Sequence, residues 1–132
     1  PNTPTPEMRM QTVQNLRAIG VITFIAVRPI LPNVDDEEYE KIFDKGLVAG
    51  CSGFILGPLY ADDKGVFVRF IPPEVLRELA NAREAVSWSA HSPIWTRYED
   101  KDRLERLVSV VEVKGGRVFM SSVDAITSIK GK

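Results

Sequence analysis

The sequence predicts an α/β protein, the C-terminal half of a parallel β/α barrel, in which helices pack on an open sheet. Residues 20–60 read as strand, helix and strand, with polar cap residues or a glycine at each junction. Two parallel neighbouring strands need such a helical crossover between them. Both strands end in proline-interrupted loops, and the carboxyl ends of parallel strands are where α/β proteins place their chemistry.

The first helix and strand follow from local signals. Thr5 is a hydroxyl cap, Pro6 and Glu7 suit the first helical turn, and Gly20 suits a left-handed C-terminal cap. Residues 21–27 are almost wholly apolar and rich in β-branched side chains, which is typical of a strand covered on both faces. This helix therefore leads directly into a buried strand.

The second helix and strand complete the predicted unit. Asp35, with Glu38 three residues later, indicates a capping box. An apolar stripe follows, the helix ends near residues 46–50, and residues 53–56 form the next short strand. Asp35 and Asp36 resemble metal ligands, but helix capping explains them better, so we predict no metal site.

The second half of the chain is less regular. Its predicted segments are a polar turn at 61–65, a strand or extended stretch at 66–70, a helix at 72–85, an irregular loop at 87–95, a helix at 99–111 and a strand at 117–121. No linker or repeat separates these segments from the first half. We therefore expect residues 1–132 to form a single α/β domain.

Composition limits the class of protein. The chain has 132 residues, of which 44% are hydrophobic, enough for one domain with a core. Its formal net charge is −1 and it has no basic stripe, so non-specific binding to a nucleic-acid backbone is not expected. No apolar run reaches the roughly 20 residues of a bilayer span, so no membrane is expected as a partner. A single cysteine, Cys51, predicts a reducing, cytoplasmic compartment.

Four stretches in order carry a resemblance to a known family. They are PTPEMRMQTVQNLRAIG, a strand ending in VRPILP, the helix start VDDEEY, and AGCSGFILGPL, all within residues 4–60. Together they resemble radical S-adenosylmethionine enzymes of the spore photoproduct lyase and DNA-repair-photolyase-like group. The family's three-cysteine motif and glycine-glycine-glutamate strand are missing, and the loop before Asp35 lacks the family's glycine. The resemblance therefore covers a C-terminal portion, and its cluster-binding part would lie upstream of Pro1, which we expect to be an artificial or processing boundary.

The resemblance implies part of a cofactor site. In the family, the fifth and sixth strands line the S-adenosylmethionine pocket, and the sixth holds the adenine. Carried over, that role falls on Leu56, Gly57, Pro58 and Leu59. The parent protein would use S-adenosylmethionine and a [4Fe-4S] cluster, with nucleic acid as a partner only by resemblance. This chain alone would bind neither cofactor and would be inactive by itself.

Arg28 is the main polar candidate from the residues themselves. It follows an apolar strand and precedes a proline, so it should lie near the strand's carboxyl end. A guanidinium there would bind a carboxylate through two parallel hydrogen bonds, either that of the cofactor or that of a neighbouring glutamate. The alternatives are a structural salt bridge or exposure to solvent. Together with Gly57 and Pro58 it should line one edge of the sheet.

Other side chains have weaker functional interpretations. Cys51 reads as a small buried thiol. His91, with Trp88 and Trp95 nearby, either lines a substrate pocket or is hydrogen-bonded in a loop. Tyr60 either faces the pocket mouth or is a satisfied buried tyrosine.

Two other function classes stay open. One is a fragment of a different β/α-barrel enzyme with a phosphate or aldolase-like site, and the other is a non-catalytic interaction module. The expected partners are the missing N-terminal barrel portion and, through the open sheet edge, a second copy of the chain.

Overall fold

The computed structural model describes residues 3–31, 34–62, 72–74, 83–86, 95–98 and 100–130, with only the backbone described for 59–62, 83–86 and 95–98. Within these ranges lie the helices α1 (Pro6–Ala18), α2 (Asp36–Ala49), α3 (Lys101–Val113) and α4 (Ser122–Lys130). The strands are β1 (Phe24–Val27), β2 (Gly53–Leu56), β3 (Leu59–Asp62), β4 (Arg83–Val86), β5 (Trp95–Tyr98) and β6 (Val118–Phe119). The protein is therefore of mixed α/β class.

The described strands form two sheets. The first is parallel, in the order β1-β2-β6, with Ile25 opposite Phe54 and Phe54 opposite Val118. The second is antiparallel, in the order β3-β5-β4. This second sheet lies, in sequence, between β2 and α3, so it interrupts the crossover that joins β2 to its parallel neighbour β6.

The capping signals of the first helix are confirmed. Oγ1 of Thr5 accepts a hydrogen bond from Met8 N at 3.2 Å, and Gly20 adopts a φ of 83° after the helix. At α2 the prediction is correct in position and wrong in detail, because Asp35 is the N-cap but its side chain makes no capping hydrogen bond. The acids that follow in the first turn still interact favourably with the helix dipole.

The main core cluster lies on one face of the parallel sheet, while Ile55 of β2 is buried on the opposite face. Phe54 and Leu56 are two residues apart in β2, so both project to the same face, where α2 and α3 cover them. The ring of Phe43 on α2 meets the ring of Phe54 edge-on, with centroids 5.1 Å apart. Leu107 and Val111 of α3 are fully buried in the same cluster. The helices α2 and α3 thus share one side of the sheet and contact each other.

The second half departs from the sequence prediction. Residues 83–86 form β4 rather than the end of a helix, and residues 61–62 belong to β3 rather than to a turn. Residues 73–74 are helical, as predicted, while 75–82 and 66–70 lie outside the described residues. The helix α3 begins at Lys101, and α4 was not predicted at all. Across the described ranges, no helix combines the length and apolar character needed to span a membrane.

Candidate functional site

The parallel strands bring three loops to one edge of the sheet. β1 is followed by Arg28, β2 by Gly57 and β6 by Met120, and in a parallel sheet these carboxyl ends lie together. Loops at such an edge carry the ligand-binding groups of most open α/β sheets. We therefore take this carboxyl edge as the candidate site.

Arg28 and Gly57 lie side by side at this edge. A Cβ atom added at Gly57 would be 3.6 Å from Cδ of Arg28 and 3.7 Å from its Cβ. The two loops are also tied through the backbone, since Ile30 N donates to Gly57 O at 3.0 Å. The expected proximity of the two residues is confirmed, whereas their role toward a cofactor stays a prediction.

The guanidinium of Arg28 reaches the start of α4. Its Nη2 donates to Oγ of Ser122 at 3.4 Å, and the residue as a whole is exposed. Ser121 caps the helix, because its Oγ accepts from Asp124 N at 3.0 Å. A helix N-terminus carries a partial positive charge, so this corner of the edge combines a guanidinium, two hydroxyls and a helix dipole.

The four residues predicted to border the adenine differ in how much of each is exposed at the carboxyl edge. Leu56 is fully buried in the core, so only its backbone is available to a ligand there. Gly57 is also buried, because the Arg28 side chain lies beside it, while Pro58 is half-buried. Leu59 begins β3, and its side chain lies outside the described residues.

The loop between β1 and α2 is held from α3 by Arg103. The Arg103 side chain is 11% exposed, and its Nε donates to Oδ1 of Asp36 at 2.7 Å. Its Nη1 donates to Leu31 O at 2.8 Å, and its Nη2 donates to Val34 O. Sequence reasoning missed Arg103, because nothing in its local pattern reveals partners that lie about seventy positions earlier.

Tyr39 supports the same loop from α2. Its hydroxyl oxygen accepts from Leu31 N at 2.7 Å, and the Arg103 guanidinium lies 5.4 Å from its ring centroid. Burial raises the pKa of the Tyr39 phenol above its ordinary value. The loop is therefore fixed by one tyrosine and one arginine, both from helices.

Asp36 is an ion-pair partner in this structure. Oδ1 accepts from Arg103 and Oδ2 accepts from Nε of Arg106 at 2.8 Å. Burial raises the pKa of Asp36, but the hydrogen bonds from Arg106 and Arg103 outweigh it, and the pKa lies below its ordinary value. Both carboxylate oxygens are thus engaged by arginines.

The residues present do not fit an iron–sulfur cluster. Cys51 is the only cysteine, it is half-buried against the core, and burial raises the pKa of its thiol. A four-iron cluster is held by several thiolates. Over the ranges given above, no group of three His, Cys, Asp or Glu residues is arranged to bind a metal.

The predicted roles of His91 and of three aromatic residues, Tyr60, Trp88 and Trp95, depend on side chains that lie outside the described part of the chain. His91 and Trp88 lie outside the described residues. Tyr60 and Trp95 lie in β3 and β5, for which only the backbone is described. The predictions for these four residues stay open.

No protein-family model matches this chain, and comparison with curated proteins and with solved structures gives no match either.

Proposed function

We propose that this chain is the C-terminal portion of a radical S-adenosylmethionine enzyme and contributes part of the S-adenosylmethionine pocket, without activity of its own. The proposal rests on the ordered resemblance over residues 4–60 and on the carboxyl edge. Arg28 would bind the ligand's carboxylate, and the backbone at Leu56 and Gly57, with Pro58 and Leu59, would border the adenine. The bound cofactor would supply the radical chemistry in the parent protein.

Sheet topology supports the half-barrel part of this proposal. The parallel strands follow one another in chain order, and α2 and α3 cover the same face. A β/α barrel is built by repeating this arrangement around a closed sheet.

The observation that carries the proposed pocket is the contact between Arg28 and Gly57. An exposed guanidinium beside a buried glycine gives a carboxylate-binding fork next to backbone that a flat ring would reach only where the Arg28 side chain turns toward the ligand's carboxylate. The Arg28 guanidinium would donate both to the ligand's carboxylate and to the hydroxyl of Ser122, which already accepts a hydrogen bond from it.

The partner in this proposal is the N-terminal barrel portion, which would hold the [4Fe-4S] cluster. In the described part of the chain, β1 pairs with β2 alone, and Ala26 within it is exposed. Unpaired backbone groups along such an edge accept another strand. A strand of the N-terminal portion would pair there, or a second copy of this chain in its absence, and the single cysteine fits a cytoplasmic setting.

Binding measurements test the proposal. In the full-length, cluster-loaded polypeptide, Arg28→Ala should weaken S-adenosylmethionine binding by one to two decades, since a charge-assisted hydrogen bond contributes roughly 1.5–3 kcal/mol. Arg9→Ala removes an exposed arginine on α1 and is the matched control. Absence of S-adenosylmethionine binding, or equal affinities in the two variants, would contradict the proposal.

A second candidate is a phosphate site in another type of β/α-barrel enzyme. The capped N-terminus of α4 beside Arg28 favours it, because such helix ends bind phosphate. Titration with inorganic phosphate, followed through the amide signals of Ser121 and Ser122, distinguishes the two. Saturable shifts without any S-adenosylmethionine binding would favour the phosphate site.

A further inference from the structure

The loop after β1 carries Arg28 at its start and is fastened at its far end by Arg103 of α3. We infer that Arg103 is the positioning residue of the carboxyl edge: it fixes this loop and so sets Arg28 against Gly57. This inference rests on the proposed function for its ligand, S-adenosylmethionine, but its structural part stands on contacts within this chain.

The guanidinium of Arg103 engages three groups in three directions. Nε binds the carboxylate of Asp36, while the two terminal nitrogens bind the carbonyl oxygens of Leu31 and Val34. These acceptors span the end of the loop and the first residue of α2. The planar guanidinium has five N–H donors, so it can donate to all three acceptors at once. The ammonium group of a lysine is a single point charge and cannot reach acceptors in these three directions.

A backbone hydrogen bond connects the stretch that Arg103 holds to Gly57 at the carboxyl edge. Leu31 N donates to Oη of Tyr39, and its neighbour Ile30 donates to Gly57 O at 3.0 Å. Arg28 and Pro29 connect this anchored stretch to β1. If Arg103 no longer holds the carbonyl oxygens of Leu31 and Val34, Tyr39 is the remaining side chain that holds Leu31. The hydrogen bond from Ile30 to Gly57 then loses part of its support, and the spacing of Arg28 and Gly57 is less firmly fixed.

Arg106 provides a matched control. It binds the other oxygen of the same Asp36 carboxylate, at 2.8 Å, and among the described loop residues it makes no hydrogen bond to the carbonyls of Leu31 and Val34. Its side chain is 55% exposed, against 11% for Arg103. Loss of Arg106 therefore removes a cation at Asp36 and leaves the loop anchored.

Hydrogen exchange tests the first half of the inference. Arg103→Lys keeps the charge and should raise the exchange rates of the Ile30 and Leu31 amides by about tenfold or more, because local opening becomes easier. Arg106→Ala should change them by less than about threefold. A core variant, Val111→Ala, controls for general loss of stability, since it opens a cavity beside Gly116, just before β6. Equal rates in Arg103→Lys and wild type would overturn the inference.

S-adenosylmethionine binding by the full-length, cluster-loaded protein tests the second half. Arg103→Lys should weaken it about tenfold, while Arg106→Ala and Val111→Ala leave it within about threefold, because only Arg103 acts through the loop. Faster loop exchange with unchanged affinity would overturn the positioning role. A wild-type protein that binds no S-adenosylmethionine would overturn the proposed function and this ligand assignment, while the exchange rates would still decide whether Arg103 fixes the loop.

Discussion

Gly46 of α2 lies against the ring of Phe54 in β2, so closely that a Cβ atom at position 46 would be 2.7 Å from Cε1 of that ring. Ile25 Cδ1 would lie 2.8 Å from the same Cβ atom. Phe54 is completely buried, so its ring cannot move aside cheaply. The absence of a side chain at Gly46 therefore sets how closely α2 approaches the sheet.

Gly46→Ala should destabilise the protein. Overpacking of a core costs about 1–3 kcal/mol, and the better helix propensity of alanine returns only about 0.5–1 kcal/mol of that. Urea unfolding should show a lower free energy of unfolding. Gly57→Ala is the control, because a Cβ there would make only ordinary contacts with Arg28. An increase in stability for Gly46→Ala would contradict this account of the packing.

The ion pairs of Asp36 should make stability depend on acid pH. The pKa of Asp36 is lowered in the folded protein, so its contribution is complete above the ordinary value of 3.8 and is lost as pH falls through the folded-state pKa. Because the Asp36 side chain is 34% exposed, solvent screening limits the effect to about 1 kcal/mol. Urea unfolding of wild type and Asp36→Asn between pH 2.5 and about 6 should give curves that converge toward low pH. Parallel curves would rule out this role for Asp36.

A branched side chain at Gly57 should disturb the edge by displacing Arg28. Valine adds two methyl groups beyond a Cβ that already lies 3.6 Å from Arg28 Cδ. In the full-length protein, Gly57→Val should weaken S-adenosylmethionine binding by about tenfold, whereas Gly57→Ala should change it by less than about threefold. Thermal unfolding of both variants checks that the fold is intact. Equal binding by the two variants would show that the space beside Gly57 does not matter for the ligand.

The family proposal makes a prediction about the gene. The polypeptide should carry a Cys-X3-Cys-X2-Cys motif N-terminal to Pro1, since a four-iron cluster needs thiolates that this chain lacks. Sequencing of the upstream reading frame checks it. A frame without this motif would exclude the radical S-adenosylmethionine proposal and leave the phosphate site as the candidate.

The first half of the fold was predictable because its signals are local. Thr5 and Gly20 mark the ends of α1, and the apolar stretch ending at Val27 indicates a strand. The prediction that this strand is covered on both faces was wrong, because β1 begins only at Phe24, lies at the edge of the described parallel sheet and buries only Val27. By contrast, β4 consists of Arg, Glu, Ala and Val, three of which favour helices. It is a strand because its backbone pairs with β5. Pairing of this kind depends on distant sequence, so local propensity gave the wrong answer.

The candidate site was predictable to the same extent. Arg28 and Gly57 were found because each directly follows a strand of one parallel unit. Ser122 was missed, because Val123, Ile126 and Thr127 in α4 are β-branched and weaken its helical pattern. Arg103 was missed because its partners are contributed by another part of the chain.

The insertion between β2 and β6 has a consequence for how the chain folds. The unit from β1 to β2 is contiguous, so its contacts form at little entropic cost as soon as residues 24–56 are available. The pairing of β2 with β6 must close a loop that includes the whole antiparallel sheet, at residues 57–117. We therefore expect folding to nucleate in the first unit, with α3 and β6 docking last. The hydrogen bonds from Arg103 of α3 to Asp36, Leu31 and Val34 would then form only in the final step.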